Sequence, residues 1–264
     1  ANPLPRDGWL PDLQLMTARD QGGSTDGLYV AAKGGHNDES HNHNDVGSFI
    51  AYLDGLPLII DVGPEYYTAK TFSDQRYEIW TMRSAWHNVP LVNGTEQAPG
   101  RNFAATNVRY ETTDESAWLK LNLENTYPEA AGINSWTRTI TLRRNNDLEI
   151  RDFYDLDHAD NIATHFVTNR PIELLKGESG ETVAVKLGKF PGDTQGREAL
   201  IHFGPENPNV RITNIEVTDP RLAGMWGPQV SRIEFVLESP ATKGTTGIRI
   251  TPLPRQILIA DETP

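Results

Sequence analysis

Histidine and acidic side chains are concentrated in one part of this 264-residue sequence. Four of its seven histidines lie between positions 36 and 87, namely His36, His41, His43 and His87. The segment 33–47 around the first three has almost no apolar residues and is rich in Asn, Asp and Gly. Neutral imidazoles and carboxylates are suitable zinc ligands, often as three protein ligands plus water. These residue types indicate a divalent-metal site, with a polar surface loop as the alternative.

Asp61 favours the metal interpretation because it lies near the end of the strongly apolar segment 56–62. A buried carboxylate is costly unless it is paired or bound to metal. The Asp-Gly pair at 54–55 predicts a hairpin turn, so the returning strand brings Asp61 back towards His43. His87 is a third ligand from a separate segment. We predict one ion, zinc, held by His43, Asp61 and His87, although the residues alone leave open that these histidines share no site.

Other titratable residues are interpreted more simply. The acidic cluster at the end of the segment 148–155 is expected to be a solvated strand edge and turn, and it comprises Asp152, Asp155, Asp157 and His158. His165 and His202 fall within strand candidates and are expected to be core or surface histidines. Neither group is therefore a predicted site.

Aromatic residues follow the predicted hairpin in unusual number. Three tyrosines could line a site, although packing is the usual role of tyrosine in a strand-rich protein; they are Tyr66, Tyr67 and Tyr77. Three tryptophans could form a sugar-stacking platform, although core packing is the default for each; they are Trp80, Trp86 and Trp226.

Short strands must position these side chains. The 22 glycines and 18 prolines separate short runs with the period-2 alternation of half-buried strands. Strand candidates are 48–53, 56–62, 117–124, 135–142, 148–155, 164–167, 210–217, 232–237, 247–251 and 256–259. The segment 71–83 is expected to form one or two helical turns, with Ser73 or Asp74 as N-cap. The fold class is therefore all-β, a large antiparallel β-sandwich with short helical turns.

A soft boundary is expected near Arg170-Pro171, after which the sequence becomes more polar and richer in Gly. Residues 1–170 are expected to form the sandwich core with the metal site. Residues 171–264 are expected to supply the remaining strands of the same sandwich or a small β extension.

Composition excludes several classes of function. A net charge of −12 argues against nucleic-acid binding, which needs a basic surface. No apolar run approaches the roughly 20 residues needed to span a bilayer. Because the chain has no cysteine, disulfides and thiolate metal sites are excluded, which fits a bacterial periplasmic or secreted protein and also a cytosolic one. The start at Ala1, without a signal-peptide pattern, indicates a processed chain or an excised fragment.

Four segments together resemble the heparinase II/III-like family of polysaccharide lyases. They are 9–16 (WLPDLQLM), 34–49 (GGHNDESHNHNDVGSF), 58–63 (LIIDVG) and 77–90 (YEIWTMRSAWHNVP), and a weaker resemblance continues to about residue 170. The family's metal ligands match His43, Asp61 and His87 one by one. Its active-site histidine, two positions before the first ligand, matches His41.

The resemblance implies a two-part enzyme, in which a β-sandwich follows an N-terminal α/α toroid and the active site lies between them. This chain resembles the sandwich portion, which implies a toroid domain or partner chain that supplies a catalytic Tyr and other groups. The implied reaction is β-elimination on a uronic-acid polysaccharide or oligosaccharide, either heparin-like or alginate-like. Periplasmic or secreted location is implied with it.

The reaction needs a neutralised substrate carboxylate, a base for the C5 proton and an acid for the departing O4. His41 could neutralise the carboxylate or shuttle a proton. Tyr77 is a candidate proton donor or substrate contact, and Tyr66 and Arg83 are candidate substrate-binding residues. The zinc ion is expected to be structural, with His43 facing it and His41 facing the cleft. Residues two apart share a face in a regular strand, so this division predicts an irregular backbone in 41–45.

Two other functions stay open. One is a non-catalytic β-sandwich module that binds glycans or packs against a partner domain and carries a structural metal. The other is a cupin-like metal enzyme, since H-x-H on a β scaffold also occurs there. That interpretation expects a Glu a few residues after the second His, whereas this sequence offers Asp45 at once and no Glu before Glu65.

Overall fold

A computed structural model of the chain describes residues 4–204 and 207–255, and nineteen strands and one α-helix lie within these ranges. The strands are β1 (Asp7–Leu10), β2 (Leu15–Arg19), β3 (Leu28–Lys33), β4 (His36–Asn37), β5 (Phe49–Leu53), β6 (Leu56–Ile59), β7 (Pro90–Val92), β8 (Gly100–Ala104), β9 (Thr106–Thr112), β10 (Ser116–Asn122), β11 (Ile133–Arg143), β12 (Asp147–Leu156), β13 (Asn161–Thr168), β14 (Ile172–Lys176), β15 (Thr182–Leu187), β16 (Ala199–Gly204), β17 (Asn209–Glu216), β18 (Gln229–Glu238) and β19 (Lys243–Pro252). The helix is α1 (Pro220–Trp226). Short 3-10 turns are Ala69–Phe72, Arg76–Glu78, Trp80–Met82, Ser84–Trp86, Glu124–Thr126 and Glu129–Ala131.

The strands form four sheets, and every pairing between them in the described ranges is antiparallel. The first sheet has the order β1-β2-β3-β5-β6, and the largest has the order β14-β15-β16-β19-β12-β11-β10-β9. A third sheet is β17-β18-β13-β7, and β4 pairs with β8. Strands from both sides of residue 170 therefore share the second and third sheets. The predicted all-β antiparallel sandwich is confirmed.

The predicted hairpin is confirmed, with β5 and β6 paired through Leu53 and Leu56. Asp54 and Gly55 both have positive φ, at +54° and +78°. This is the backbone that a two-residue hairpin turn requires, and Asp-Gly adopts it readily.

Apolar side chains on the inner faces of the three larger sheets form one core. Phe49 of the first sheet meets Phe166 of the third edge-to-face at 5.2 Å, and Phe166 meets Phe235 at 5.6 Å. Phe203 of the large sheet then lies 5.5 Å from Phe235. These ring contacts pack the first sheet, which carries the site, against the third sheet and through it against the large sheet. Burial of such large apolar rings stabilises this packing.

Some local expectations were wrong. The 3-10 turns in and around 71–83 confirm helical turns, but their N-caps are Thr68, Gln75 and Ile79, not Ser73 or Asp74. Ser73 instead ends the first turn, where its hydroxyl oxygen accepts from the N–H of Gln75 at 3.2 Å. The α-helix was not predicted, although its start is encoded by Asp219, which accepts from the N–H groups of its first turn.

Asp152 is also a correction, because it is not a solvated strand-edge residue. Its side chain is 1% exposed and forms a two-pronged ion pair with Arg138, the residue opposite it in the sheet. The even alternation of β12 turns Asp152 inward, and the cross-strand arginine makes that burial tolerable. Asp157 and His158 are exposed, as expected. His165 is buried and His202 exposed, and the strand candidate 256–259 lies outside the described residues.

Candidate metal centre and the surface around it

His43, Asp61 and His87 come together in the structure from three separate segments. Each offers one ligand atom, and these atoms all lie within 4.8 Å of one another. Asp61 follows β6, His87 follows the turn Ser84–Trp86, and His43 lies in the loop between β4 and β5. The Nδ1 atom of His87 lies 2.7 Å from Oδ2 of Asp61, and the two imidazole centroids are 5.1 Å apart.

The electrostatics of this trio suit a divalent cation. Desolvation, and then the neighbouring His87, lower the pKa of His43 to about 4, so this imidazole is neutral near pH 7. Burial opposes ionisation of Asp61, but the charge and hydrogen bond of His87 outweigh it and lower the pKa of Asp61. Burial likewise lowers the pKa of His87, yet Asp61 raises it overall. The Asp61 carboxylate and the neutral His43 imidazole can bind a metal without losing a proton, whereas the raised pKa of His87 means that metal binding there competes with its protonation.

An unsatisfied nitrogen provides a further test of fit. His87 is 0% exposed, and its Nε2 has no hydrogen-bond partner in the part of the chain that the structure describes. A buried imidazole nitrogen without a partner is costly. A donor set of two imidazoles and one carboxylate fits zinc with a fourth position open, and the Asp61 side chain is 28% exposed.

Asn88 holds two of the three ligand segments together. Its side-chain NH₂ donates to the backbone oxygens of Phe49 at 2.6 Å and Ile60 at 2.9 Å. Its Oδ1 accepts from the N–H of Val167 at 2.8 Å. Since Ile60 precedes Asp61 and Asn88 follows His87, one buried side chain fixes both ligands against β13.

Two other buried side chains hold the third ligand segment. Gln97 accepts from the N–H of Val46 and donates to its carbonyl oxygen, at 3.1 Å and 2.8 Å, which pins the loop after His43. Arg138 donates to the carbonyl oxygens of Gly47 and Asn88 at 3.2 Å and 2.9 Å. The protein itself therefore sets the relative positions of the loops.

The loop that carries His41 is irregular, as the separate roles of the two histidines predict. His41 has φ of +60°, and no strand includes residues 41–45. The exposed His41 ring stacks on Tyr67 with centroids 5.6 Å apart and planes 3° apart. Phe72 meets it edge-on at 6.5 Å and is 68% exposed. We call His41, Tyr67 and Phe72 the aromatic cluster.

The structure locates the remaining predicted site residues as follows. The Tyr77 hydroxyl accepts from the side-chain NH₂ of Asn42 at 3.4 Å, so Tyr77 contacts the loop between His41 and His43. Tyr66 is 61% exposed beside the aromatic cluster in sequence. Arg83 is engaged in an ion pair with Glu96.

The tryptophans mainly serve packing. Trp80 and Trp86 pack edge-to-face at 5.0 Å, and the Trp80 indole donates to Glu65. The Trp226 indole donates to the carbonyl oxygen of Val62.

No helix among the described residues is long and apolar enough to cross a membrane.

Sequence reasoning missed Asn88, Gln97, Arg138 and Arg76. The last of these donates to the carbonyl oxygen of Asn42 at 2.6 Å. Their partners are mostly far away in the chain, for example 34 residues between Arg76 and Asn42 and 91 residues between Arg138 and Gly47. A single sequence carries no local signal for such contacts.

Comparison with known proteins gives a consistent picture. The family model for "Heparinase II/III-like, C-terminal" matches residues 5–250. The chain is similar to the structure of heparan sulfate lyase HepC from Pedobacter heparinus, with a TM-score of 0.74, 13% identity, and 95% of this chain and 37% of that chain covered. A heparinase III gene product has a TM-score of 0.71 at 13% identity, with 97% and 37% covered.

A structure of different activity is also similar. The 4-alpha-glucanotransferase from Thermococcus litoralis has a TM-score of 0.51 at 11% identity, with 94% of this chain and 40% of that chain covered. At these identities the likeness shows the fold alone, and the chain spans about 37–40% of the length of the three structures. A search of curated protein sequences found no match.

Proposed function

The chain belongs to the heparinase II/III-like C-terminal family, and from this we propose that it forms the β-sandwich side of a polysaccharide lyase. Its substrate would be a uronic-acid polysaccharide, heparan sulfate-like or alginate-like, cleaved by β-elimination. One observation carries the proposal: His41 lies exposed in an aromatic cluster, two residues before a member of a two-histidine, one-aspartate centre.

Each step of a β-elimination needs a positioned polar group. His41 is exposed, so it can neutralise the uronate carboxylate or carry a proton at the reacting carbon. Tyr67 and Phe72 support its ring and offer faces for a sugar. Tyr77 is a candidate proton donor or substrate contact, held at the same loop by Asn42. The Tyr66 side chain is exposed and can contact the polysaccharide substrate. Arg83 is a weaker candidate because Glu96 already neutralises it.

We propose that His43, Asp61 and His87 hold one zinc ion with a structural role. When bound, zinc would tie the three loops together by coordination, which stabilises the folded state because the unfolded chain lacks the assembled site. The chain's own hydrogen bonds from Asn88, Gln97 and Arg138 support the same loops. Coordination of His43 would then also restrict the position of His41, two residues earlier in the same loop.

The proposal includes a partner and a location. Further catalytic groups would come from a helical toroid domain or partner chain facing the aromatic cluster. Two of the similar structures are a heparan sulfate lyase and a heparinase III gene product, in keeping with an acidic polysaccharide as substrate. A periplasmic or secreted location follows for an enzyme of such polymers.

The test is an ultraviolet assay for unsaturated uronic products. The protein is mixed with heparin, heparan sulfate, alginate and hyaluronan, alone and with a helical toroid partner supplied, with His41→Ala as the test variant; product is expected only with the partner. His202→Ala is the matched control, because His202 is an exposed histidine on the large sheet. A rise in absorbance that only His41→Ala abolishes supports the proposal.

A second candidate is a non-catalytic glycan-binding module, which the exposure of Tyr66, Tyr67 and Phe72 favours. Binding of acidic glycans without any product, also when the toroid partner is supplied, would favour this module over the lyase.

A further inference from the structure

Most cations around the site are neutralised by carboxylates. The pairs are Lys33 with Glu39 and Asp45, Lys70 with Glu78, Arg83 with Glu96, and Arg138 with Asp152. Arg76 differs, because within residues 4–204 and 207–255 no carboxylate forms an ion pair with it. The site therefore keeps one uncompensated positive charge in a chain of net charge −12.

The Arg76 guanidinium is held by neutral acceptors only. One terminal nitrogen donates to the carbonyl oxygen of Thr71 at 2.7 Å, and the other donates to that of Asn42 at 2.6 Å. Its Nε is buried and has no hydrogen-bond partner among the described residues. Carbonyl oxygens fix the orientation of the group but leave its net charge intact, so the field of Arg76 reaches its surroundings undiminished by an ion pair.

The two acceptors place this charge at the proposed cleft. Asn42 lies between His41 and His43, and Thr71 precedes Phe72. Arg76 thus links the two segments that carry the aromatic cluster.

We propose that Arg76 is the residue that makes this site prefer an acidic sugar over a neutral one. The inference rests on the proposed function and adds the source of its charge selectivity. A uronate carboxylate at the aromatic cluster gains from a nearby cation that has no competing protein carboxylate, whereas Arg83 offers a charge already satisfied by Glu96.

The experiment compares two ligands that differ only in charge. They are an alginate hexasaccharide and the same hexasaccharide with its carboxylates reduced to alcohols. Binding to the zinc-loaded protein is followed by calorimetry and by chemical-shift changes, for wild type, Arg76→Gln, Arg76→Lys and Lys70→Gln. Lys70→Gln is the matched control, since it removes a cation of the same segment whose charge is paired with Glu78.

We expect Arg76→Gln to weaken binding of the acidic hexasaccharide by about tenfold, the effect of losing the attraction of one nearby unpaired charge. Binding of the reduced form should be unchanged. Arg76→Lys should keep most of the preference, and Lys70→Gln should bind both forms like wild type. High salt should shrink the preference in wild type and have little effect in Arg76→Gln, because screening weakens charge attraction.

Other outcomes separate this inference from the proposed function. Wild type that binds neither ligand overturns both. Wild type that binds both forms equally, or Arg76→Gln that keeps the acidic preference, overturns only the inference. If Arg76→Gln weakens binding of the acidic and the reduced hexasaccharide equally, the inference is also overturned, because a disturbed loop would have this effect. If Arg76→Gln does not fold, Arg76→Lys provides the test. Its preference for the acidic over the reduced hexasaccharide should be close to that of wild type and should disappear in high salt, and any other result overturns the inference.

Discussion

The buried ion pair between Arg138 and Asp152 gives the sharpest prediction for stability. Their side chains are 0% and 1% exposed, and two hydrogen bonds of 2.8 Å join them. Asp152→Asn keeps the side-chain shape but leaves a buried guanidinium without its counter-charge. Removing one partner of such a pair costs about 3–5 kcal/mol. For a chain of this length that corresponds to a fall in Tm of about 5–9 °C.

Urea unfolding followed by circular dichroism measures this loss. Asp155→Asn is the matched control on the same strand, because its partner Lys243 is 74% exposed, and its unfolding midpoint should stay close to wild type. A loss below about 1 kcal/mol for Asp152→Asn would refute the reasoning, because that is the range of exposed pairs.

Three further predictions concern the metal centre and pH. His43→Ala should lower the zinc content from one ion per chain towards none by elemental analysis, and chelation should lower the Tm of wild type but not of the variant. Asn88→Ala should weaken zinc binding by about 10–100-fold in a chelator competition, whereas Asn93→Ala, which loses bonds to the backbone of Ala131 and His158, should not. Burial, with a smaller effect of Arg232, lowers the pKa of His165 to about 3. The unfolded chain then binds a proton that the folded chain does not, so stability should fall from pH 6.5 towards pH 3, and His165→Phe should reduce that slope.

Each of these has a contrary result. A His43→Ala protein with full zinc content would remove this residue from the ligand set. Equal zinc affinities for the two asparagine variants would mean that Asn88 does not position the ligands. An unchanged dependence of the urea midpoint on pH in His165→Phe would show that His165 does not titrate between the two states.

The features of the site that depend on local sequence pattern and residue chemistry could be predicted from the sequence. Asp61 could be found because an acid at the end of an apolar strand is anomalous, and the Asp54–Gly55 turn fixed the direction of return. The irregular loop at His41 followed from giving neighbouring histidines different roles. The structure brings His43, Asp61 and His87 together, while zinc binding and the role of His41 remain proposals.

The parts that could not be predicted depend on tertiary contacts. Asp152 read as solvated because its compensating partner Arg138 lies on a neighbouring strand, and a cross-strand register is invisible in one sequence. The sequence does not distinguish Arg83, which pairs with Glu96, from Arg76, which donates to backbone carbonyl oxygens, because both partners are set by the fold. The seven-residue helix α1 was too short to give a periodic signal.

The left-handed backbone at His41 bears on how this protein responds to mutation. A non-glycine residue with φ of +60° costs about 1–3 kcal/mol, and glycine would not incur that cost. Selection for heat resistance alone would therefore favour His41→Gly, the substitution that deletes the proposed cleft histidine. Any stabilisation campaign on this chain should hold position 41 fixed, and a gain in Tm at this position should be scored as a loss of function until binding is measured.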